Sequence, residues 1–484
     1  MNNEEIAPAV FIREYTKELH NKNAAVFVGA GLSMPAGYLD WRSLLADIIR
    51  DLNLDPDHET DLVTVAQYHI NHAGGNKTGL TRTIFDAFSQ IKKPTRNHQL
   101  LASLPIFSYW TTNYDKLVER ALENAKKVPD VKYTLTQLAV TRLDRDVAVY
   151  KMHGDVDHAA DAVISKDDYE SYSTRMEPFV TALRGDLIEK TFLFLGFSFT
   201  DPNIDYILSR VRVQYEQHQR HHYCVQKRVT RTTGEKPIPF RSRQLKQAYF
   251  IRDLKRFGIQ TVLVENYADI TGLLEQLNDT YKRSSVLISG SAGDFGPWGQ
   301  SKAELFLHNL SKAIATKRTR IVTGFGLGVG SAVINGALTH LSEVGKSISD
   351  EDIVMRPFPQ STKGGVDLAG RWTEYRKAMI GYAGIAIFVF GSKLGTDGKP
   401  EMSDGMSEEF DLCFQAGVKL LPVGATGFVA EELWRRVFDD MGTYYPAAKP
   451  AFKSGFKRLG DSSLSPDDII KIVLDLISIL QKSD

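Results

Sequence analysis

Cysteine is the scarcest informative residue in this chain. Only Cys224 and Cys413 occur among 484 residues, and they lie far apart. Two distant cysteines cannot build a disulfide framework or the four-thiolate zinc site that paired CxxC motifs would supply. Such low cysteine usage is typical of a reducing compartment, and we therefore expect a cytoplasmic protein.

The chain also lacks an excess of charge and a long hydrophobic run. It has 59 Lys and Arg residues against 59 Asp and Glu residues, so its formal net charge is zero. That balance is not the electrostatic footprint of a protein that mainly holds a nucleic acid or an anionic membrane. No apolar run approaches the roughly 18 residues that cross a bilayer, and the N-terminus (MNNEEIAPAV) is acidic where a signal peptide would be basic. We expect neither a nucleic-acid partner nor a membrane association.

Short apolar runs rich in β-branched and aromatic residues do recur, each followed by glycine or a polar cluster and separated by helical patterns. Their continuous hydrophobicity predicts strands covered on both faces, hence an α/β fold with mostly parallel sheets. The strands predicted in the first half are residues 24–28, 106–110, 148–152, 191–195, 222–226 and 260–264. A second series follows at residues 285–289, 320–323, 353–356, 385–390 and 419–423. We therefore predict two Rossmann-like domains, residues 1–283 and 284–484, each a mostly parallel sheet flanked by helices.

Four segments of the first half lie at the carboxyl ends of predicted strands. They read GAGLS at 29–33, TTNYD at 111–115, KMHGD at 151–155 and GFSFTDPNID at 196–205. Because ligands bind at the carboxyl ends of strands in a doubly wound sheet, we expect the four segments to converge on one ligand. Each alone has a structural explanation: a tight βα turn, a helix N-cap, a buried histidine and a helix start at Asp201-Pro202.

Together the four segments resemble the sirtuin, or SIR2-like, domain, over residues 1 to about 283. The resemblance implies an NAD+ site with Asn113, His153 and Asp115 as catalytic residues. Asn113 would orient the nicotinamide ribose and the attacking water, Asp115 would hold the nicotinamide end, and His153 would act as base on the ribose hydroxyls or water. The residues implied to bind the dinucleotide are Gly29, Ala30, Gly31, Ser33, Thr112, Gly196 and Ser198.

The sequence departs from protein-deacylating sirtuins in two places. The zinc module with its two CxxC pairs is absent, and residues 37–42 read GYLDWR where those enzymes have a GIPDFR run. The LGFSFTDPNID stretch instead resembles bacterial SIR2-like defence proteins, which cleave NAD+. The resemblance thus implies an NAD+ glycohydrolase that forms nicotinamide and ADP-ribose without a metal ion. A SIR2-type protein deacylase is the alternative enzyme.

The second half carries two glycine-containing segments near strand ends, SGSA at 289–292 and TGFGLGVGS at 323–331. Glycine-rich backbone at a helix N-terminus suits phosphate, and we expect a wide, backbone-lined bay there. The glycine spacing does not fit the dehydrogenase fingerprint, which disfavours an oxidoreductase. Arg376 and Lys393 are candidates for phosphate contacts and Glu409 for ribose hydroxyls, although each alone is more often a solvated surface charge.

These segments jointly resemble the SLOG domain, a Rossmann-like nucleotide sensor, over about residues 284–484. The resemblance implies an effector site made of Ser289, Gly290, Ser291, Gly324, Phe325, Gly326, Leu327, Gly328, Arg376, Lys393 and Glu409. A SIR2-like domain followed by a SLOG domain resembles the NAD+-hydrolysing effectors of bacterial Thoeris anti-phage systems. That resemblance implies activation by a cyclic ADP-ribose isomer made by a TIR-domain protein, depletion of cellular NAD+, and a homotetramer or higher assembly. The alternative outside enzymes is a nucleotide sensor or scaffold whose first domain is catalytically idle.

Overall fold

The computed structural model describes residues 4–357, 368–395 and 397–482. The chain forms two compact units that divide at Asn278/Asp279. Each unit is built on its own parallel β-sheet with helices on its faces. The α/β fold class and the two Rossmann-like sheets predicted from the sequence are confirmed.

Within the described residues of the first unit, seven strands form one sheet in the order β3-β4-β2-β1-β5-β6-β7, with every neighbouring pair parallel. The strands are β1 (Ala24–Val28), β2 (Ser108–Thr111), β3 (Pro129–Lys132), β4 (Val147–Lys151), β5 (Thr191–Leu195), β6 (His222–Lys227) and β7 (Ile259–Val264). The helices are α1 (Pro8–His20), α2 (Ala30–Ser33), α3 (Trp41–Asp51), α4 (Leu62–His72), α5 (Thr78–Phe88), α6 (Arg96–Ser103), α7 (Leu117–Asn124), α8 (Leu135–Ala139), α9 (Lys166–Arg175), α10 (Glu177–Glu189), α11 (Pro202–Tyr215), α12 (Pro237–Arg256) and α13 (Asp269–Lys282). Short 3₁₀ helices occupy Met34–Ala36, Val156–Asp161 and Glu216–His218.

The order of strands places a topological switch point at β1. The chain leaves β1 for β2 on one side of the sheet and later returns to β5 on the other side. The register aligns the strand ends, since Val28 pairs with both Thr111 and Leu195, and Thr111 pairs with Lys151. The segments after these four strands therefore emerge at the same sheet edge, where doubly wound proteins bind ligands.

Strand β3 was not predicted, because it carries no apolar signal. Its two buried positions are Asp130 and Lys132, which form an ion pair of 2.8 Å. β3 is the edge strand of the sheet, so one polar pair there substitutes for the apolar run that the central strands need.

The second unit has five parallel strands within its described residues, in the order β10-β9-β8-β11-β14. They are β8 (Ser285–Ser291), β9 (Arg320–Thr323), β10 (Ile353–Met355), β11 (Ile385–Phe390) and β14 (Lys419–Pro422); an antiparallel hairpin of β12 (Ser392–Leu394) and β13 (Pro400–Met402) adds a separate ribbon. The helices are α14 (Gln300–Thr316), α15 (Gly330–Glu343), α16 (Leu368–Ile380), α17 (Asp404–Gln415), α18 (Phe428–Asp439), α19 (Met441–Tyr444), α20 (Pro450–Arg458) and α21 (Pro466–Lys482), with 3₁₀ helices at Gly296–Trp298 and Gly424–Thr426. The switch point of this sheet lies between β8 and β11.

One strand of the second unit is longer than the sequence predicted. Strand β8 continues through Ser291, so Ser289 to Ser291 form its last residues and pair with Phe388 to Phe390 of β11. Helix α17 begins at Asp404. At the start of α21 the Asp468 N–H donates to Ser465 Oγ over 3.2 Å, which caps the helix. The apolar side chains of this helix lie in the core of the unit.

Candidate functional site

The carboxyl ends of β1, β2, β4 and β5 border a cavity of about 850 Å³. This volume lies within the range of small-molecule sites. The predicted residues that line it are Ala30, Gly31, Ser33, Thr112, Asn113, Asp115, His153, Gly196 and Ser198. Residues 39–41, 44 and 60–64, in and around helices α3 and α4, form part of its wall. The four segments therefore converge as expected.

Gly29 does not line the cavity but sets how closely two of its turns approach. A Cβ atom on Gly29 would lie 2.4 Å from the Gly196 carbonyl oxygen, and one on Gly196 would lie 2.3 Å from the Leu32 nitrogen. Gly196 also has a φ of +63°, which side chains rarely adopt. The Gly31 N–H donates to the Gly196 carbonyl over 3.0 Å. The turns after β1 and β5 thus fit together only because glycine occupies both.

Asn113 is held by the ends of β1 and β2. Its Nδ2 donates to Ser33 Oγ over 3.0 Å, and its backbone N–H donates to Thr111 Oγ1 over 2.9 Å. The Thr111 hydroxyl in turn donates to the Val28 carbonyl over 2.9 Å. These three contacts fix a mostly buried amide at the cavity wall, so Asn113 needs little rearrangement to orient a bound molecule.

His153 is buried beside a carboxylate that the sequence did not single out as functional. Its Nε2 lies 3.1 Å from Asp201 Oδ2, and its ring meets Tyr169 edge-on with centroids 5.3 Å apart. Asp201 Oδ1 accepts from the backbone N–H groups of Asn203 and Ile204, which caps α11. Burial opposes ionisation of Asp201, but His153 and these amides outweigh it, so the pKa of Asp201 is lowered. The only sequence signal for Asp201 was Asp-Pro at a helix start.

Asp115 both caps a helix and lines the cavity. Its Oδ1 accepts from the Leu117 N–H over 2.9 Å, as expected of a residue at the start of α7. Its Oδ2 is buried and has no hydrogen-bond partner within the described part of the chain. The nearby His98 is also buried, and burial lowers its pKa to about 4, against the opposite influence of Asp115. Asp115 thus lines the cavity with one carboxylate oxygen engaged at the start of α7.

Lys151, the last residue of β4, supports the segment that follows β2. It was not predicted as part of the site. The side chain is fully buried. Its Nζ donates to the carbonyls of Tyr114 and Asp115 over 3.1 and 2.6 Å. It also contacts Glu119 Oε1 at 3.0 Å and Asp155 Oδ2 at 2.6 Å. This ammonium holds the segment that carries Asn113.

In the second unit, three predicted effector residues come together near the switch point. Ser289 Oγ donates to Glu409 Oε2 over 2.6 Å. Arg376 Nη1 lies 2.6 Å from Glu408 Oε2, and its Nε lies 3.5 Å from Glu409 Oε1. Burial raises the pKa of Glu409. Lys393 does not share these contacts. It pairs with Asp404 at 2.6 Å on an exposed surface.

Two glycines of the glycine-rich segment lie very close to neighbouring backbone. A Cβ on Gly326 would lie 2.0 Å from the Gly290 carbonyl oxygen, and one on Gly328 would lie 2.3 Å from the Ala292 carbonyl oxygen. These glycines let the loop pack directly on β8 and the turn after it, while Phe325 and Leu327 point into solvent. Gly324 precedes them in the loop, and Ser291 Oγ is buried without a hydrogen-bond partner among the described residues.

Comparison with known proteins identifies the family. Residues 108–254 match the model described as a SIR2-like domain, and residues 269–480 match the model described as the Sir2- and TIR-associating SLOG family. The chain is 47% identical to the NAD(+) hydrolase ThsA of Bacillus cereus (strain MSX-D12), over 97% of this chain and 98% of that protein. It belongs to the ThsA family. ThsA of Acinetobacter baumannii (strain 532279) is 43% identical over 97% of this chain and 98% of its own length. ThsA of Enterococcus faecium is 38% identical over 98% of this chain and 99% of its own length.

The ThsA match confirms the predicted resemblance to SIR2-like and SLOG domains. The SIR2-like match includes Asn113, His153 and Asp201. In the portions of the chain that the structure describes, no cluster of three or more His, Cys, Asp or Glu side chains is arranged to hold a metal ion. In the same portions of the chain, no helix is long and apolar enough to cross a membrane. Both cysteines are buried as free thiols.

Proposed function

We propose that this chain is an NAD+ glycohydrolase, which converts NAD+ and water into nicotinamide and ADP-ribose. One observation carries the proposal: Asn113 and His153, which follow the different strands β2 and β4, line a single cavity beside close-packed glycine turns. The ThsA relatives, which cover nearly the whole chain and are named NAD(+) hydrolases, support it independently.

The reaction requires positioning and charge stabilisation more than a strong nucleophile. The bond between ribose C1′ and the nicotinamide nitrogen breaks, and its electron pair neutralises the pyridinium ring. In this proposal Asn113 orients the ribose and the attacking water, while Asp115, which lines the same cavity, holds the nicotinamide end. His153 accepts the proton that the water loses. The glycine turns, Ala30, Ser33, Thr112 and Ser198 hold the rest of the dinucleotide.

Asn113→Ala and His153→Gln test this assignment. Each should lower nicotinamide release by about a hundredfold or more, because each removes a positioning or acid–base group. Glutamine at 153 fills more of the buried space than alanine would, which protects the fold. The matched controls Asn21→Ala and His72→Gln change exposed residues of the same unit and should retain wild-type rates. NAD+ turnover is followed by chromatography; a folded Asn113→Ala or His153→Gln enzyme with most of its activity would refute the assignment.

The same assay discriminates the alternatives. An acetyl-lysine peptide should neither be consumed nor accelerate nicotinamide release; formation of O-acyl-ADP-ribose would favour the deacylase. If the folded wild-type chain bound nucleotide in its second unit but released no nicotinamide under any activating condition, the idle-sensor alternative would be favoured.

We further propose that residues 1–283 carry hydrolysis and residues 284–484 sense a cyclic ADP-ribose isomer supplied by a TIR-domain protein. The convergence of Ser289, Arg376 and Glu409 near the β8/β11 switch point supports a nucleotide site there. A ligand shifts an equilibrium only through differential affinity, so the isomer must bind the active arrangement more tightly than the resting one. The active form would be a homotetramer or higher assembly that depletes NAD+ in the bacterial cytoplasm. Turnover of the full chain with and without each isomer tests this, and equal rates would refute it.

A further inference from the structure

Asp201 lies between helix α11 and the His153 ring, and its two carboxylate oxygens have different partners. Oδ1 accepts from the N–H groups of Asn203 and Ile204 over 2.9 and 3.2 Å. Oδ2 is left facing His153 Nε2 at 3.1 Å. We infer that Asp201 is a positioning residue that holds the proton of His153 on Nε2, so that Nδ1 is the atom that accepts the proton from water. This inference rests on the proposed hydrolysis of NAD+.

The tautomer follows from the chemistry of the two groups. An ionised carboxylate can only accept hydrogen bonds, so the ring nitrogen that faces Oδ2 must carry the proton. In neutral imidazole the other nitrogen then has the lone pair. Nδ1 is buried, has no hydrogen-bond partner in the described structure, and belongs to a ring that lines the cavity. The 3.1 Å contact to Asp201 is not well aligned, as is common before substrate binds and tightens a catalytic hydrogen bond.

Neighbouring aromatic side chains restrict the ring to this orientation. Tyr169 and Tyr172 of α9 meet the imidazole edge-on, with interplanar angles of 80° and 76°. The Tyr172 hydroxyl is itself anchored to the Met152 carbonyl over 3.0 Å. Burial, followed by the negative charge of Asp201, raises the pKa of Tyr169 well above its usual value. Among the described residues, the titratable side chains in contact with His153 include the Asp201 carboxylate and the phenols of Tyr169 and Tyr172.

In the proposed step, the water oxygen forms a bond to C1′ as the bond from C1′ to the nicotinamide nitrogen breaks. The electron pair of that bond leaves on nicotinamide, and the water proton moves to Nδ1 of His153. The ring becomes imidazolium, whose Nε2–H points at Asp201. The carboxylate stabilises that charge without taking the proton, as an aspartate does beside the histidine of a hydrolytic triad.

Asp201→Asn and Asp201→Ser separate this role from helix capping. Asparagine and serine are both good N-cap residues, so α11 should keep its cap. Neither side chain supplies an anion to Nε2, and serine is too short to reach it. We expect kcat to fall about a hundredfold or more, with KM within about threefold and the melting temperature within a few degrees of wild type. Asp205→Asn, which removes the same charge from an exposed position on the same helix, should retain wild-type kcat.

Two further measurements respond to the histidine itself. Loss of the anion destabilises imidazolium, so the acid limb of the kcat/KM profile should move to lower pH in Asp201→Asn. In ¹⁵N spectra of the full chain, with the signal assigned by its loss in His153→Gln, the wild-type ring should be protonated at Nε2 and the Asp201→Ser ring should lose that preference. The spectra require no turnover, so they distinguish failure of this inference from failure of the proposed hydrolysis. Protonation at Nδ1 in wild type, or a drop in melting temperature that accounts for all lost activity, would overturn the inference.

Discussion

Replacement of Lys151 by methionine is the sharpest test of how the fold supports the site. The lysine is fully buried, and its ammonium touches two backbone carbonyls and two carboxylates. Methionine has similar length and fills the space, so little cavity forms. The change therefore isolates the loss of the charge rather than the loss of packing.

The size of the stability loss in Lys151→Met depends on which carboxylates lose their partner. Asp155 keeps a hydrogen bond from the Asp157 N–H at 2.9 Å and an ion pair with Lys116 at 3.8 Å. Glu119, in contrast, loses its ion pair with Lys151. Removing one member of a buried ion pair costs about 3–5 kcal/mol. For a unit of this size that corresponds to a fall in melting temperature of about 6–20 °C. Since Lys151 holds the carbonyls next to Asn113, the remaining folded enzyme should also lose about tenfold to a hundredfold in kcat.

The loss of stability should depend on pH. Burial already raises the pKa of Glu119 in the intact protein, and loss of the ammonium raises it further. A carboxyl group whose folded pKa is raised favours folding below its unfolded value and disfavours it as pH rises through the folded pKa. The pKa of Lys151 is itself raised because Glu119 and Asp155 outweigh burial, so the lysine stays charged from acid to neutral pH in wild type. The deficit of Lys151→Met should be smallest near pH 4.5 and grow toward neutrality.

Thermal unfolding of both chains at several pH values measures this effect. Lys17→Met is the matched control, because Lys17 pairs with Glu14 on an exposed helix surface of the same unit. Loss of this exposed ion pair should lower the free energy of unfolding by less than about 0.5 kcal/mol. Adding Glu119→Gln to Lys151→Met should recover part of the stability. A Lys151→Met chain that melts within the range of Lys17→Met, or a deficit that shrinks as pH rises, would refute the reasoning.

Two further predictions concern the close turns and the second unit. Gly196→Ala should melt lower and lose at least tenfold in turnover, because the left-handed φ costs about 1–2 kcal/mol and the new Cβ meets backbone at 2.3 Å. Gly234→Ala is the control for backbone strain alone, because Gly234 has a φ of +80° and a Cβ added there would meet no non-neighbouring atom of the described residues within 4 Å. Equal losses of stability and turnover in both variants would contradict the close-approach argument. Arg376→Ala should raise the required concentration of cyclic ADP-ribose isomer by about tenfold or more, since a charge-assisted contact contributes about 1.5–3 kcal/mol, while turnover without activator stays unchanged. An unshifted activation curve, measured beside the exposed control Arg435→Ala, would remove Arg376 from the effector site.

Local sequence patterns determined the fold class and most of the sheet. Continuous apolar runs indicated strands buried on both faces, and the predicted runs correspond to all the strands of the two parallel sheets except β3. They also indicated that the turns after β1, β2, β4 and β5 share a site, because parallel strands present their carboxyl ends at one edge. These properties are readable because each depends on residues adjacent in the chain and on one repeated rule of packing.

Tertiary structure alone decided which polar groups meet. Asp201 and His153 are 48 positions apart, and their contact depends on how α11 leaves β5 relative to the end of β4. Lys151 is indistinguishable in sequence from an exposed strand-end lysine, yet the α7 start, Glu119 and Asp155 enclose it. The sequence makes Arg376 a candidate for a phosphate contact, and only the structure shows that Glu408 pairs with it. Hydrophobic burial repeats along the chain and leaves a pattern, whereas a buried polar pair depends on the register and orientation of distant elements and leaves none.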